Sequence, residues 1–180
     1  MTRRFKPPIF ATTKRGATTW TLNIGEDEQA VVADLLGQLR TLLTSDNDPD
    51  TPTSPLLDRL FPNAYTAEED AEKEAEYQRL MREELVASRL HQIEAVAGYI
   101  ASGEGQTLDE GQVIALMQSV NAVRVVLGTM LNVTDDDDSD DFTSVVGPDG
   151  TGDEFEVERR LYAFLSWLLD WIVRSLQSTT

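Results

Sequence analysis

The fold class follows first from the stretch EFEVERRLYAFLSWLLDWIVRSLQS, residues 154–178. Its apolar residues recur at the three- and four-residue spacing of a helix with a buried face; they are Leu161, Phe164, Leu165, Leu168, Trp171, Ile172 and Leu176. This face spans more of the helix circumference than one neighbour covers, so we expect burial on more than one side. The pattern predicts a core helix and, as a second expectation, a homodimer that forms through this C-terminal helix.

Three further helical patterns precede this helix. Residues 109–131 begin at Asp109 and have apolar residues at helical spacing. Residues 26–43 begin with three acidic residues, which suit a helix N-terminus. Residues 66–101 begin with Thr66 and Glu69 at the spacing of a capping box. Their apolar stripe is incomplete, and it consists of Tyr77, Leu80, Met81, Leu85, Ile93, Val96, Ala97 and Ile100. Residues 68–76 are charged almost all round, so we expect this first part to be exposed, or the helix to break near residues 82–84.

The N-terminal residues have the pattern of a β-hairpin. Apolar residues precede a turn at Lys14, Arg15 and Gly16, and Trp20, Leu22 and Ile24 alternate with polar residues after it. An isolated hairpin is only marginally stable, so this one should pack on the helices through Trp20.

Together these patterns predict a mainly α fold, a bundle of about four helices with an N-terminal β-hairpin. We expect one domain over residues 1–180, with the hairpin in 1–25, helices in 26–132, an acidic linker in 133–153 and the last helix in 154–178. The apolar stretches fall short of a membrane span, and the basic N-terminus lacks the apolar region of a signal peptide, so we expect a cytoplasmic protein.

Charge and composition exclude several kinds of chemistry. The chain has no cysteine, which rules out disulfides, thiolate catalysis and cysteine-ligated metals. Residues 1–25 carry five basic residues and no acid, so the net charge of −17 leaves −22 on the other residues. Such a body attracts basic partners and repels nucleic acid and anionic membranes. No catalytic or cofactor-binding pattern occurs, and we expect a protein that is not an enzyme.

Two features suggest a metal site but fit one poorly. Residues 135–141 read DDDDSDD, yet a calcium loop that starts at Asp135 needs Gly at its sixth position and Glu at its twelfth. Asp140 and Val146 stand there instead, so a solvated linker is the better interpretation. His91, the only histidine, has Glu84 and Glu94 at helical spacing, a common coincidence. We predict no metal and no cofactor.

Asn121 and Arg124 interrupt an otherwise apolar helix. An arginine on that face needs a partner, and we consider Asp58, Asp109 and Asp170. A buried structural ion pair is the simpler interpretation, and a contact with a partner protein is the alternative. Trp167 and Trp171 lie one turn apart, a spacing more typical of a core or a dimer interface than of a ligand cage.

Three segments resemble a small actinobacterial family. They are PLLDRLFPNAY at residues 55–65, NAVRVVLGTML at 121–131, and the closing helix with Tyr162, Leu165, Trp167 and Leu168. Genes of that family usually lie beside the gene of the ClpS adaptor, and the family includes an oxidative-stress regulator that works with an extracytoplasmic-function sigma factor. The resemblance implies a regulator of gene expression that acts through protein contacts. A thiol switch like that of some relatives cannot operate here, because there is no cysteine.

We therefore expect a non-enzymatic regulator that binds a basic protein, such as a sigma factor, and no nucleic acid at physiological salt. The expected partner-binding residues are Asp58, Arg59, Asn63, Tyr65, Asn121 and Arg124. One alternative is a regulator that binds DNA directly through the basic hairpin. Another is an adaptor in Clp proteolysis, which follows only from the genomic neighbourhood of the family.

Overall fold

The computed structural model describes residues 6–46, 54–65, 70–102, 106–133 and 155–178. Four helices and a small sheet form the chain, as expected. The strands are β1 (Ile9–Lys14), β2 (Ala17–Leu22) and β3 (Thr107–Leu108); the helices are α1 (Glu26–Asp46), α2 (Ala71–Ile100), α3 (Glu110–Met130) and α4 (Glu156–Gln177). A 3-10 turn, Pro55–Leu57, lies between α1 and α2.

The hairpin turns at Arg15 and Gly16, which both have positive φ angles, 52° and 83°. Two such residues in a two-residue loop match the right-handed twist of paired strands, and glycine adopts this conformation without strain. Trp20 is buried, and its Nε1 donates a hydrogen bond to the carbonyl oxygen of Ser175 at 3.3 Å. The hairpin therefore packs on α4, as predicted. The sequence pattern missed β3, which pairs with β2 and places Leu108 opposite Trp20.

The central helix of the bundle is α3, which contacts α1, α2, α4 and β2. It begins with a capping box, in which Asp109 accepts from the Gln112 amide and the Gln112 side chain accepts from the Asp109 amide. The expectation that no stretch is long and apolar enough to cross a membrane is wrong for α3, which passes that test by length and composition. The core helix of a bundle can have the same length and apolar composition, and 44% of the most apolar stretch of α3 is buried inside this bundle.

The helix α2 is continuous, so of the two alternatives the break near residues 82–84 does not occur, and residues 70–76 are mostly exposed, as the other alternative predicted. Its predicted capping box at Thr66 and Glu69 lies outside the described residues. The predicted stripe is wrong in its first half, because Leu80, Met81 and Leu85 are exposed and Val86 is buried instead. Only Ile93, Val96 and Ile100 continue the buried face, where α2 packs against α3.

The wide apolar face of α4 is partly covered by the described residues of the chain, and Leu161, Phe164, Trp171 and Leu176 remain half-buried. Leu165, Leu168 and Ile172 are fully buried, and α4 contacts β1 as well as α3. Trp171 is half-buried against the core, whereas Trp167 is 39% exposed, so the two tryptophans do not share one environment. A homodimer through α4 stays a prediction, and the acidic linker, apart from Val133, lies outside the described residues.

Candidate functional site

The loop of residues 54–65 is fixed to the bundle by its apolar residues. Leu57, Leu60 and Phe61 are buried. Two guanidinium groups of α2 contact the Phe61 ring, with Arg82 at 5.1 Å and Arg89 at 5.5 Å from its centroid. Burial lowers the pKa of Arg89. These contacts hold the loop against α2 and leave its polar side chains on the surface.

All four partner-binding residues predicted in this loop are exposed. Arg59 donates from Nη1 to the carbonyl oxygen of Val133 at 2.7 Å, which ties the loop to the end of α3. The Tyr65 amide donates to Glu74 Oε2 at 2.7 Å. The pKa of Glu74 is lowered, first by a hydrogen bond from Gln78 and also by this amide. Asp58 and Asn63 complete the exposed set.

The two predicted residues on α3 have different surroundings. Asn121 is exposed, whereas Arg124 is half-buried and packs against α4. The Arg124 Nε donates to Ser166 Oγ at 2.7 Å, and its guanidinium lies 4.9 Å from the centroid of the Tyr162 ring. Arg124 therefore helps to join α3 to α4.

Two of the three acidic residues considered as partners of Arg124 make other contacts. Asp170 accepts a hydrogen bond from Arg174 Nε at 2.9 Å, and Asp109 caps α3. Arg124 is half-buried, so the expectation of a buried position is wrong, and its contacts with α4 include a hydroxyl and an aromatic ring. An ion pair of Arg124 stays a prediction. Sequence spacing could not show this, because Ser166 and Tyr162 are distant in the chain and carry no charge.

The His91 side chain is exposed on α2. One of its proposed neighbours, Glu94, forms an ion pair with Arg40 of α1 at 3.2 Å. Within the described residues no group of three or more histidines and carboxylates is placed to hold a metal ion. The Asp-rich residues 135–141 lie outside the described residues, so the expectation for them stays a prediction.

The structure describes an apolar groove of about 810 Å³ between α1, α3 and the start of α4, called the groove below. The residues that line it are Ala30, Val31, Asp34, Leu35, Gln38, Leu39 and Leu42 of α1, Leu56 of the loop, Val123, Val126, Leu127 and Met130 of α3, and Val157, Glu158 and Leu161 of α4. Of the six predicted partner-binding residues, none lines it. Only Leu56 connects it to the loop motif.

The groove has a buried floor and an exposed rim. Leu35, Leu39 and Leu127 are buried beneath it, whereas Val31 is 36% exposed and Val157 is 65% exposed. Both charged lining residues are acidic, Asp34 and Glu158, and Asp34 accepts a hydrogen bond from Gln38 Nε2 at 2.7 Å. Apolar surface beside acidic groups suits a ligand that is both apolar and basic.

The sequence held one signal for the groove. Val31 lies beside the apolar face of α1, and Val157 lies one turn before Leu161, ahead of the residues predicted to be buried in α4. Extra apolar residues beside a stripe indicate surface that the bundle itself does not need to bury. The signal could not locate a groove, because that depends on how α1, α3 and α4 are arranged in space.

Comparison with known families adds one finding. A family model described as "Domain of unknown function (DUF2017)" matches residues 3–176. No curated protein and no solved structure matches the chain. The match covers nearly the whole chain, including the hairpin, all four helices and the groove.

Proposed function

The chain belongs to the DUF2017 family of domains of unknown function, and we propose that it is a non-enzymatic regulatory protein that binds a basic protein partner. The observation that carries this proposal is the groove, an open apolar surface whose charged lining residues are both acidic. Exposed apolar patches with a polar rim are typical of protein-binding surfaces.

The distribution of charge along the chain supports a basic partner. Helix α1, which forms one wall of the groove, has five acidic residues and one basic residue. The acidic linker, residues 133–153, has eight acidic residues and no basic one. It leaves α3 three residues after Met130 and ends four residues before Val157, and both of these line the groove. The two ends of this acidic segment are therefore joined to the chain within four residues of groove-lining residues.

We further propose that the partner is a sigma factor or another protein of transcription. This finer proposal is supported by the resemblance to the actinobacterial stress-regulator family, together with electrostatics. Sigma factors bind DNA through basic surfaces, and an acidic protein is complementary to such a surface. The exposed loop residues Asp58, Arg59, Asn63 and Tyr65 are available for the same partner.

Two other functions would be separated by the same experiment. The tip of the hairpin exposes Lys14 and Arg15, so a DNA-binding regulator is the second candidate. An adaptor in Clp proteolysis is supported only by the genomic neighbourhood of the resembled family, and it would bind a component of the Clp machinery instead of a transcription protein.

The test measures binding of the purified chain to a purified extracytoplasmic-function sigma factor from the same genome, to ClpS, and to duplex DNA. We expect association with the sigma factor above the neutral baseline of about 10⁵–10⁶ M⁻¹s⁻¹, slowing as salt is added. The proposal would be contradicted by sub-micromolar binding to duplex DNA at about 0.15 M salt that is lost when five basic residues are replaced by neutral ones. These residues are Arg3, Arg4, Lys6, Lys14 and Arg15. Binding to ClpS alone would favour the adaptor.

A further inference from the structure

We infer that the groove binds an amphipathic helix of the partner, with apolar residues on one face and Lys or Arg along the edges of that face. This inference rests on the proposed function, because it names the part of a basic partner that the groove takes. It is carried by the walls of the groove, by its length and by its charge.

The walls favour a helix over an extended peptide. They are the side chains of α1, α3 and α4, whose backbone groups are hydrogen-bonded within each helix. An extended peptide gains affinity by adding to a sheet edge, and no strand lines the groove. A helix satisfies its own backbone hydrogen bonds and presents only side chains to the apolar floor.

The length of the groove fits a short helix. Along α1 the lining residues run from Ala30 to Leu42, which at the α-helical rise is about 18 Å, or roughly three turns. Three turns of a bound helix present apolar residues at positions i, i+3 or i+4, and i+7. These residues would rest on Leu35, Leu39 and Leu127, which form the buried floor.

The charges specify the edges of the bound helix. Asp34 lies on α1 and Glu158 on α4, so two different helices that line the groove each contribute a carboxylate. Lys and Arg flanking the apolar face of the ligand would reach these groups while their stems cover Val31 and Val157. A second copy of this acidic chain is a poorer occupant, since like charges would be brought together.

The probe is a synthetic peptide of about 18 residues, five helical turns, with Leu at helical spacing and Lys or Arg on both flanks. Its control has the same composition in an order without an apolar face, so it carries the same charge. We expect micromolar binding of the amphipathic peptide and binding weaker by about tenfold or more for the control. Equal affinity for the two peptides would overturn the inference, because charge alone would then explain the binding.

Two protein variants locate the binding surface. The double variant Val31→Asn with Val157→Asn changes only exposed rim residues. We expect its affinity for the amphipathic peptide to be about tenfold weaker and the melting temperature of the protein to be unchanged. Leu80→Asn is the matched control, since Leu80 is 59% exposed on α2 and does not line the groove. Loss of affinity in the control and not in the double variant would place the ligand elsewhere and overturn the inference.

The outcomes separate this inference from the proposed function. If the sigma factor binds the double variant as tightly as the unchanged chain, the groove assignment fails and the proposed function stands. If no basic protein binds the unchanged chain, the proposed function fails. If the unchanged chain sediments as a dimer and the double variant as a monomer that does not bind the peptide, the groove is an interface between copies and the inference is wrong.

Discussion

Helix α4 meets the rest of the chain in two different ways along its length. From Tyr162 onward it packs closely against its neighbours, and we call this its closed part. Here Arg124 donates a hydrogen bond to Ser166, and Trp20 donates one to the carbonyl oxygen of Ser175. At its start Val157 borders the groove and is 65% exposed. The closed part combines close packing with specific polar contacts, which stabilise one arrangement. The open part has apolar side chains without that covering, and we assign stability to the first and binding to the second.

The largest effect is expected on the closed side, where Trp20 is 2% exposed between the hairpin and α4. Replacing it with Ala should lower the free energy of unfolding by about 3–5 kcal/mol, the usual cost of removing a buried aromatic side chain. Chemical denaturation measures this. Trp167→Ala is the control, and its cost should stay below about 1 kcal/mol because its side chain is partly exposed. An unchanged midpoint for Trp20→Ala would mean that the hairpin does not pack on the bundle.

The contact between α3 and α4 should be sensitive to the size of residue 128. A Cβ atom on Gly128 would lie 3.2 Å from Cε2 of Tyr162, so Gly128→Val should destabilise the chain by about 1–3 kcal/mol through overpacking. At Gly37 of α1 a Cβ atom meets nothing within 4 Å. Gly37→Val should therefore change stability by less than about 0.5 kcal/mol. Equal melting temperatures for the two variants would contradict the close packing of this contact.

Arg124→Ala tests whether this residue belongs to the closed part or to a partner interface. Loss of its hydrogen bond to Ser166 and of its contact with Tyr162 should cost about 1–2 kcal/mol, with partner affinity unchanged. Arg174→Ala, which removes an exposed ion pair with Asp170, should cost less than about 0.5 kcal/mol. Melting temperature and affinity are measured on the same samples. A lower partner affinity of Arg124→Ala with an unchanged melting temperature would show instead that Arg124 belongs to the partner interface.

The smallest effect on stability is expected from the acidic linker. A chain without residues 135–141 should keep its helical circular dichroism and show no dependence on Ca²⁺, because the calcium-loop spacing fails. Removing these six aspartates should slow association with a basic partner and leave dissociation unchanged. A melting temperature that Ca²⁺ raises in the full chain and not in the shortened chain would show instead that the linker binds calcium.

Local patterns were sufficient to predict much of the fold. The Arg15-Gly16 turn, the cap at Asp109 and the buried face of α4 each depend on residues close in the chain. The strand β3 escaped prediction because its two residues have no periodicity and form a strand only by pairing with β2. The exposure of Leu80 and Leu85 was missed for a related reason, since a helical stripe does not show which part a neighbour covers.

The candidate site was harder to predict than the fold. Polar residues in apolar surroundings led to Arg124, which the structure places in a contact between two helices. The loop residues Asp58, Arg59, Asn63 and Tyr65 are exposed, which a binding role requires, and that role stays a prediction. The groove consists of apolar residues on three helices that are distant in the chain, and it can be recognised only once those helices are packed.

The most direct test of the account is a methyl nuclear magnetic resonance titration of the full chain with the basic amphipathic peptide. The account predicts that the largest shifts fall on groove methyl groups, such as those of Val31, Leu42, Val157 and Leu161, while the exposed Leu80 stays unchanged. The control peptide of equal charge should leave the groove signals in place. Largest shifts at Leu80, or equal shifts with both peptides, would contradict the claim that the groove is the partner-binding surface.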